Sequence, residues 1–392
     1  MSPRGTCDLL IVGGSFAGLV AARTAAMRGL DVVVLEAKRE AGARVATTGI
    51  LVKEAAEEID VPHHLTRRVH GVRLHAPSLR HIDLFSPGSF FLTTDTAGLL
   101  RWLAREAERA GARIHYGTRF AGAAREGSAF RVAGLNLAAR YILGADGARS
   151  AVARHFGLGR NTHFLVGVEA ELEGLDTADP RFLHCFLDGR LAPGYLAWVA
   201  SGPRVTQVGL AAPAGRRADL QAFLARAEPL FGFSRARIVE RRAGRIPAGG
   251  LVHPWSAPGV LLVGDAAGMV SPATGGGIRL AFQFGRRAAQ AIADHLLHLG
   301  PAPETVLARE LPRFALKRLM RMGLDLAPPD RLVNAAIATP LMRWLAAHVY
   351  FHRRSARGIS FTEFEARIAA LAGEGAPPGG PVFAPPSMPK SP

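Results

Sequence analysis

The stretch Asp8 to Glu36, DLLIVGGSFAGLVAARTAAMRGLDVVVLE, admits few folds. An apolar strand, Leu9 to Val12, runs into a glycine turn at Gly13, Gly14 and Gly18. An alanine-rich helix follows and ends near Gly29, and a second apolar strand, Val32 to Leu35, is closed by Glu36. A strand, a glycine turn and a helix in this order present unpaired N–H groups and the positive end of a helix dipole to a pyrophosphate. Glu36, followed by Ala37 and Lys38, lies about twenty residues beyond the turn, where an acidic side chain takes a ribose hydroxyl. The stretch predicts a dinucleotide site built on Gly13, Gly14, Ser15, Phe16, Ala17 and Gly18. Ser15 departs from the G-x-G-x-x-G pattern, standing where a second glycine would let the backbone approach the phosphates.

Two later stretches repeat the theme. Tyr141 to Arg154 (YILGADGARSAVAR) and Val260 to Gly285 (VLLVGDAAGMVSPATGGGIRLAFQFG) each take a short apolar strand into an aspartate–glycine turn and then into a helix. Together with the first, they resemble in order and spacing the three FAD fingerprints of the flavoprotein superfamily that holds aromatic hydroxylases, flavin halogenases and geranylgeranyl reductases. The resemblance covers most of residues 8 to 297. It implies an α/β fold: a Rossmann-like FAD-binding domain of the glutathione reductase type, interleaved with an antiparallel-sheet substrate domain and followed by a helical C-terminal region. FAD is the implied cofactor, and NAD(P)H or another reductant the implied electron source. The matching positions implied to touch FAD are Asp146 and Gly147, Gly264 and Asp265, and Pro272, Gly275, Gly276, Gly277 and Ile278.

Within the superfamily the loop SPATGGGI looks closest to geranylgeranyl reductases. That family carries a basic residue and then Cys-Gly-Gly beside the flavin; here Arg44 fits the basic position, while Thr47, Thr48 and Gly49 replace the cysteine motif. The arginine that often follows the aspartate at the start of the next helix is absent, with Thr96 in its place and Arg101 one turn along. The Tyr-x-Trp-x-Phe-Pro element that lines the isoprenoid cavity is matched in part by Tyr195, Trp198 and Val199. Tyr195 and Trp198 are therefore the candidate catalytic-cavity residues, with water or Tyr195 as the proton source.

Alternating apolar patterns and turn signals place short strands at 67–94 and at 164–171, 181–187, 195–200 and 205–210, and residues 95–111 read as an amphipathic helix capped by Asp95. The expected organisation is an FAD domain from 1–66, 95–159 and 244–310, a substrate domain from 67–94 and 160–243, a basic helical cap over 311–372 and a disordered Pro/Gly-rich tail at 373–392.

The chain has 392 residues, a formal charge of +16 and two cysteines, Cys7 and Cys185. Two cysteines supply neither a disulfide framework nor a thiolate metal cluster, and a cytoplasmic setting is expected. His63 and His64 lack ligand spacing, and His70, His75 and His81 are expected on strand faces or the surface, so no metal site is proposed. No nucleic-acid module is visible. The basic charge gathers at residues 311–357, which hold nine Lys or Arg against two Asp. These helices place Leu311, Phe314, Ala315, Leu319 and Met322 near one side, so they are either a cap with a solvated basic face or a peripheral contact with the inner membrane face.

Fold does not decide what a reduced flavin reacts with. The resemblance implies first a reductase that saturates carbon–carbon double bonds of an isoprenoid or related lipid. A class A monooxygenase acting on an aromatic or polyketide-like molecule is the alternative, and a flavoprotein electron relay a third.

Overall fold

The computed structural model describes residues 5–175, 179–326 and 328–351; the expected tail at 373–392 and the last part of the cap, 352–372, lie outside them. The chain opens with β1 (Gly5–Val12), α1 (Phe16–Met27), β2 (Val32–Glu36), β3 (Ile50–Val52) and α2 (Lys53–Ala56). Four strands follow, β4 (Thr66–Val69), β5 (Gly71–His75), β6 (His81–Phe85) and β7 (Phe91–Thr94), then α3 (Thr96–Arg109). Next come β8 (Arg113–Tyr116), β9 (Ala123–Glu126), β10 (Ala129–Val132), β11 (Leu137–Gly144) and α4 (Ala151–His155). The second excursion holds β12 (Phe164–Glu173), β13 (Phe182–Phe186), β14 (Ala197–Ser201), β15 (Thr206–Pro213), α5 (Leu220–Phe231) and β16 (Arg237–Pro247). The chain then returns through β17 (Ser256–Ala257), β18 (Val260–Leu262) and α6 (Ile278–Leu296) to α7 (Pro303–Ala308), α8 (Ala315–Asp325), α9 (Asp330–Ala336) and α10 (Pro340–Phe351).

The first sheet has the order β17-β18-β11-β1-β2-β8, with β10 and β9 attached to β11. Strands β18, β11, β1, β2 and β8 run parallel. Parallel strands covered on both faces read as continuous apolar runs, and Leu9, Leu10 and Ile11 are wholly buried. Helix α1 packs against α6 and α3. Residues Leu99, Leu100, Leu103, Ala104 and Ala107 form the buried stripe of α3, and the Asp95 carboxylate caps it by accepting from the Gly98 amide. Such a cap contributes about 1 kcal/mol.

The second sheet has seven strands in the order β16-β12-β15-β14-β13-β5-β6. One face, with Ala170, Leu172, Val199, Val208 and Leu210, packs against Phe223, Ala227 and Phe231 of α5. The opposite face carries Leu165, Cys185, Trp198, Ala200 and Ala211 and meets Ala346 and Phe351 of α10. A small sheet, β3-β7-β4, joins the two larger ones in sequence. The sequence reading has only strands over this excursion. The structure adds α5, capped by Asp219 and closed by Gly232 in the left-handed region, and runs β16 on to Pro247, beyond the expected boundary at 243.

The C-terminal cap corrects the expected orientation of its amphipathic helix. In α8 the buried side chain is Arg321, 3% exposed, whereas Leu316, Leu319 and Met322 are 64–70% exposed. Of the expected apolar side, Leu311 and Phe314 do pack on the core, but Ala315, Leu319 and Met322 within α8 point outward, where Arg321 is drawn inward: it donates to the Gly194 carbonyl and to Asp325, and its guanidinium lies over the Tyr195 ring. Leu326, Leu332, Leu341 and Trp344 extend the exposed apolar surface over α9 and α10. Among the described residues no helix is long and apolar enough to cross a membrane.

Candidate active site

Gly13 ends β1 at a φ of +108°, and a Cβ there would stand 2.3 Å from the Ala145 carbonyl oxygen. At Gly18 a Cβ would meet the Gly13 oxygen at 1.9 Å. Ser15, between them, has extended backbone (φ −113°, ψ −164°) that any residue adopts, which explains why a glycine is not needed. Phe16 lies edge-on to Phe282 of α6, and Ala17 is buried where Gly285 of α6 approaches it. The first turn of α1 holds no acidic residue, and the Ser15 side chain makes no cap bond. The N-terminus of α6, at Gly277 and Ile278, is likewise free of a side-chain cap and of acid. Helices α3 and α5, by contrast, are closed by Asp95 and Asp219. The two helices that start at glycine motifs thus keep their orphan amides available for an anion or a polar ring edge.

Glu36 is buried and holds the turn: its Oε2 accepts from the Gly14 amide and its Oε1 from the Lys38 amide, both at 2.7 Å. A carboxylate has about four acceptor sites, so room remains for a ribose hydroxyl. Ala37 and Lys38 are half-buried beside it. Asp146 Oδ2 accepts from the Ala151 and Val152 amides, while its buried Oδ1 has no hydrogen-bond partner; burial raises its carboxyl above the ordinary range. Gly147 turns the chain next to it. Burial also pushes Asp265 up to about 6, beside Gly264. Asn161 braces these two turns, donating to the carbonyls of Ala148 and Asp265. An orphaned acceptor, two uncapped helices and a tight glycine turn fit FAD. Bound there, FAD would supply two-electron chemistry.

The loop Thr47–Gly49 is fixed by side chains of the neighbouring strand and helix. Thr94 and Thr96 donate to the carbonyls of Gly49 and Thr48. The Thr48 hydroxyl donates to Glu169 of β12 at 2.5 Å. Arg44 is exposed with a φ of +45°, an unusual conformation for a side-chain-bearing residue and one that clusters at functional sites. Arg101 is exposed on α3, apart from its buried stripe.

The structure brings Tyr195 to the loop that precedes α6. Its hydroxyl donates to the Thr274 carbonyl, and a Cβ on Gly275 would meet that hydroxyl at 2.5 Å. Tyr195 precedes β14 rather than lying in it, and burial holds its phenol well above the ordinary value, so its proton braces the loop containing Pro272 and Gly276. Trp198 is buried on the sheet face away from α5, with Nε1 donating to Glu169 at 2.9 Å. Val199 points to the α5 side instead. Sequence reasoning missed Glu169, Arg242 and Asn161. Glutamate and arginine in register on neighbouring strands were the available signal for the first two.

This geometry defines a flavoprotein oxidoreductase: an FAD cradle faced by a separate sheet that is antiparallel except where β5 and β13 pair in parallel, a departure from the wholly antiparallel sheet expected. A family model described as FAD binding domain matches residues 6–308. A digeranylgeranylglycerophospholipid reductase of Methanothrix thermoacetophila is 32% identical over 331 residues, 78% of this chain and 82% of that protein. One from Methanosarcina acetivorans is 29% identical over 72% of this chain and 74% of its own length. Among solved structures, a geranylgeranyl bacteriochlorophyll reductase-like protein from Thermoplasma acidophilum superposes with a TM-score of 0.77 at 23% identity, covering 94% of this chain and 99% of that one. A probable FAD-dependent monooxygenase from Pseudomonas aeruginosa shares the fold with a TM-score of 0.65 at 20% identity, over 86% and 100% of the two chains. The chain belongs to the geranylgeranyl reductase family of FAD-dependent oxidoreductases.

Proposed function

We propose that this enzyme saturates carbon–carbon double bonds of an isoprenoid lipid. Reduction adds a hydride, carried by reduced FAD, to one alkene carbon and a proton to the other. The observation that carries the reading is the 32% identity to a lipid reductase over 78% of this chain and 82% of that protein; the likeness to a solved monooxygenase, at 20% identity, shows the fold alone. Trp198 and Tyr195 would wall the chain's path, with the Trp198 indole seated over Gly209 of the sheet. The electron source is NAD(P)H or another reductant of similar potential. The proton comes from water, because the Tyr195 hydroxyl is held by Thr274.

The lipid would be met at a membrane surface. Eight large apolar side chains from Leu316 to Leu345 are exposed on and between α8, α9 and α10, with Arg318 and Arg331 exposed among them and Arg313 just before, which suits helices lying in an anionic interface on the cytoplasmic side.

The test is anaerobic incubation of dithionite-reduced enzyme with a lipid bearing unsaturated geranylgeranyl chains, followed by mass spectrometry. Products heavier by pairs of hydrogens are expected. Products gaining one oxygen, and only when air and NAD(P)H are supplied with an aromatic substrate, would replace the reductase with a monooxygenase.

A further inference from the structure

Glu169 lies where the seven-stranded sheet meets the Thr47–Gly49 loop. Register pairing aligns Cys185, Trp198, Gly209, Glu169 and Arg242 in one row across β13, β14, β15, β12 and β16. Residues directly opposed in a sheet project from the same face, so the row forms one continuous surface. Gly209 interrupts it with no side chain, and the Trp198 indole fills the gap: a Cβ on Gly209 would stand 2.6 Å from the indole Cζ2. Lying flat across β15, the indole reaches Glu169 Oε2 at 2.9 Å. The Thr48 hydroxyl donates to the same oxygen at 2.5 Å. The other oxygen is held by Arg242 Nε at 2.7 Å, and Arg242 also pairs with Glu171 at 2.6 Å.

The Glu169 and Arg242 side chains are each 6% exposed. A buried carboxylate needs such a partner, yet a buried ion pair adds little stability over apolar residues of the same size. Its distinguishing property here is geometric. One carboxylate oxygen fixes both the indole of Trp198 and the hydroxyl of Thr48, and Arg242 prevents that carboxylate from turning.

We propose that Glu169 is a positioning residue that sets the width of the substrate channel. It holds the Trp198 wall and the Thr47–Gly49 loop at a fixed separation, and so selects which stretch of a long prenyl chain rests over the flavin. This rests on the lipid-reductase reading.

The experiment compares Glu169→Gln, Trp198→Phe and the double variant with the full-length wild type as FAD-loaded proteins. The substrate is a diether lipid with two geranylgeranyl chains, and the readout is the distribution of partly reduced products. Each single variant should retain FAD and lower the fully saturated share about fivefold, and the double variant should fall no further, because coupled residues are not additive. Full additivity, or an unchanged distribution with FAD retained, overturns the proposal. If Glu169→Gln does not fold, Thr48→Val, which removes one donor only, should move the distribution the same way, and an unchanged distribution overturns it. Wild type that reduces no prenyl chain would sink the lipid-reductase reading. The clamp then stands or falls on the ¹⁵N-indole resonance missing from Trp198→Phe: it should shift in Glu169→Gln, and a fixed resonance disproves it.

Discussion

Gly18 sits where α1 crosses the end of β1, and the 1.9 Å between its notional Cβ and the Gly13 oxygen leaves no room for even a methyl group. Gly18→Ala must push the helix away from the turn that aims its amides. Overpacking of this kind costs about 1–3 kcal/mol, and the displaced amides should lose FAD. The expected outcome is protein that purifies colourless or with a small fraction of the wild-type flavin absorbance and melts several degrees lower. Ser15→Gly is the control, since extended backbone at that position makes no demand on residue type; yellow, fully loaded Gly18→Ala would refute the cradle as drawn. The contrast shows what is legible at this scale. Gly13, Gly14, Gly18, Glu36, Asp146 and Asp265 stand in local patterns that a strand–turn–helix unit imposes on its own residues. Asn161 and Glu169 each join segments far apart in the chain, Asn161 reaching Asp265 and Glu169 reaching Thr48, and no local pattern around them announces those partners.

Helix α8 shows the limit of periodicity at the scale of one element. Its spacing separates an apolar side from a basic one, but which side faces inward depends on what the rest of the chain offers. Here the Gly194 carbonyl, Asp325 and the Tyr195 ring capture Arg321, and the apolar side is left outside. Arg321 is therefore not a membrane contact, whereas Leu319, Met322 and Arg318 are placed to be. Each apolar side chain moved from water into an interface contributes up to about 1.5–3 kcal/mol. Leu319→Ser with Met322→Ser should lower cosedimentation with vesicles containing anionic lipid at least tenfold, with FAD content and melting temperature unchanged. Arg318→Gln should weaken binding at low salt and matter less as salt screens the surface charge. Wild-type protein that stays in the supernatant at every vesicle concentration would rule the interfacial reading out.

Over the whole molecule, the parallel sheet was readable because burial on both faces forces continuous apolar runs, whereas the seven-stranded sheet also encloses polar groups that alternation alone leaves on a strand face. His75 and His184 are such groups, 3% and 2% exposed, with their rings in contact at 3.3 Å and His75 stacked on Phe186. Burial, with the neighbouring ring also acting on His75, lowers His75 to about 3; burial lowers His184 to about 4. Both folded values lie below the unfolded value of about 6.5, so the unfolded chain binds more protons between these limits. Stability is then complete above about pH 6.5 and falls as the pH drops toward 4, by about 1.4 kcal/mol per pH unit for each histidine. Asp265, raised to about 6, acts in the opposite sense, since the folded state takes up its proton first. Below pH 6 it offsets roughly one of the two histidines. Thermal unfolding of the apoprotein from pH 7 to pH 5 should show a falling melting temperature, a flatter profile in His75→Gln/His184→Gln, and a steeper one in Asp265→Asn. A profile that does not flatten when both histidines are replaced would mean that the pair titrates as it does in the unfolded chain, and that the acid sensitivity of the molecule resides elsewhere.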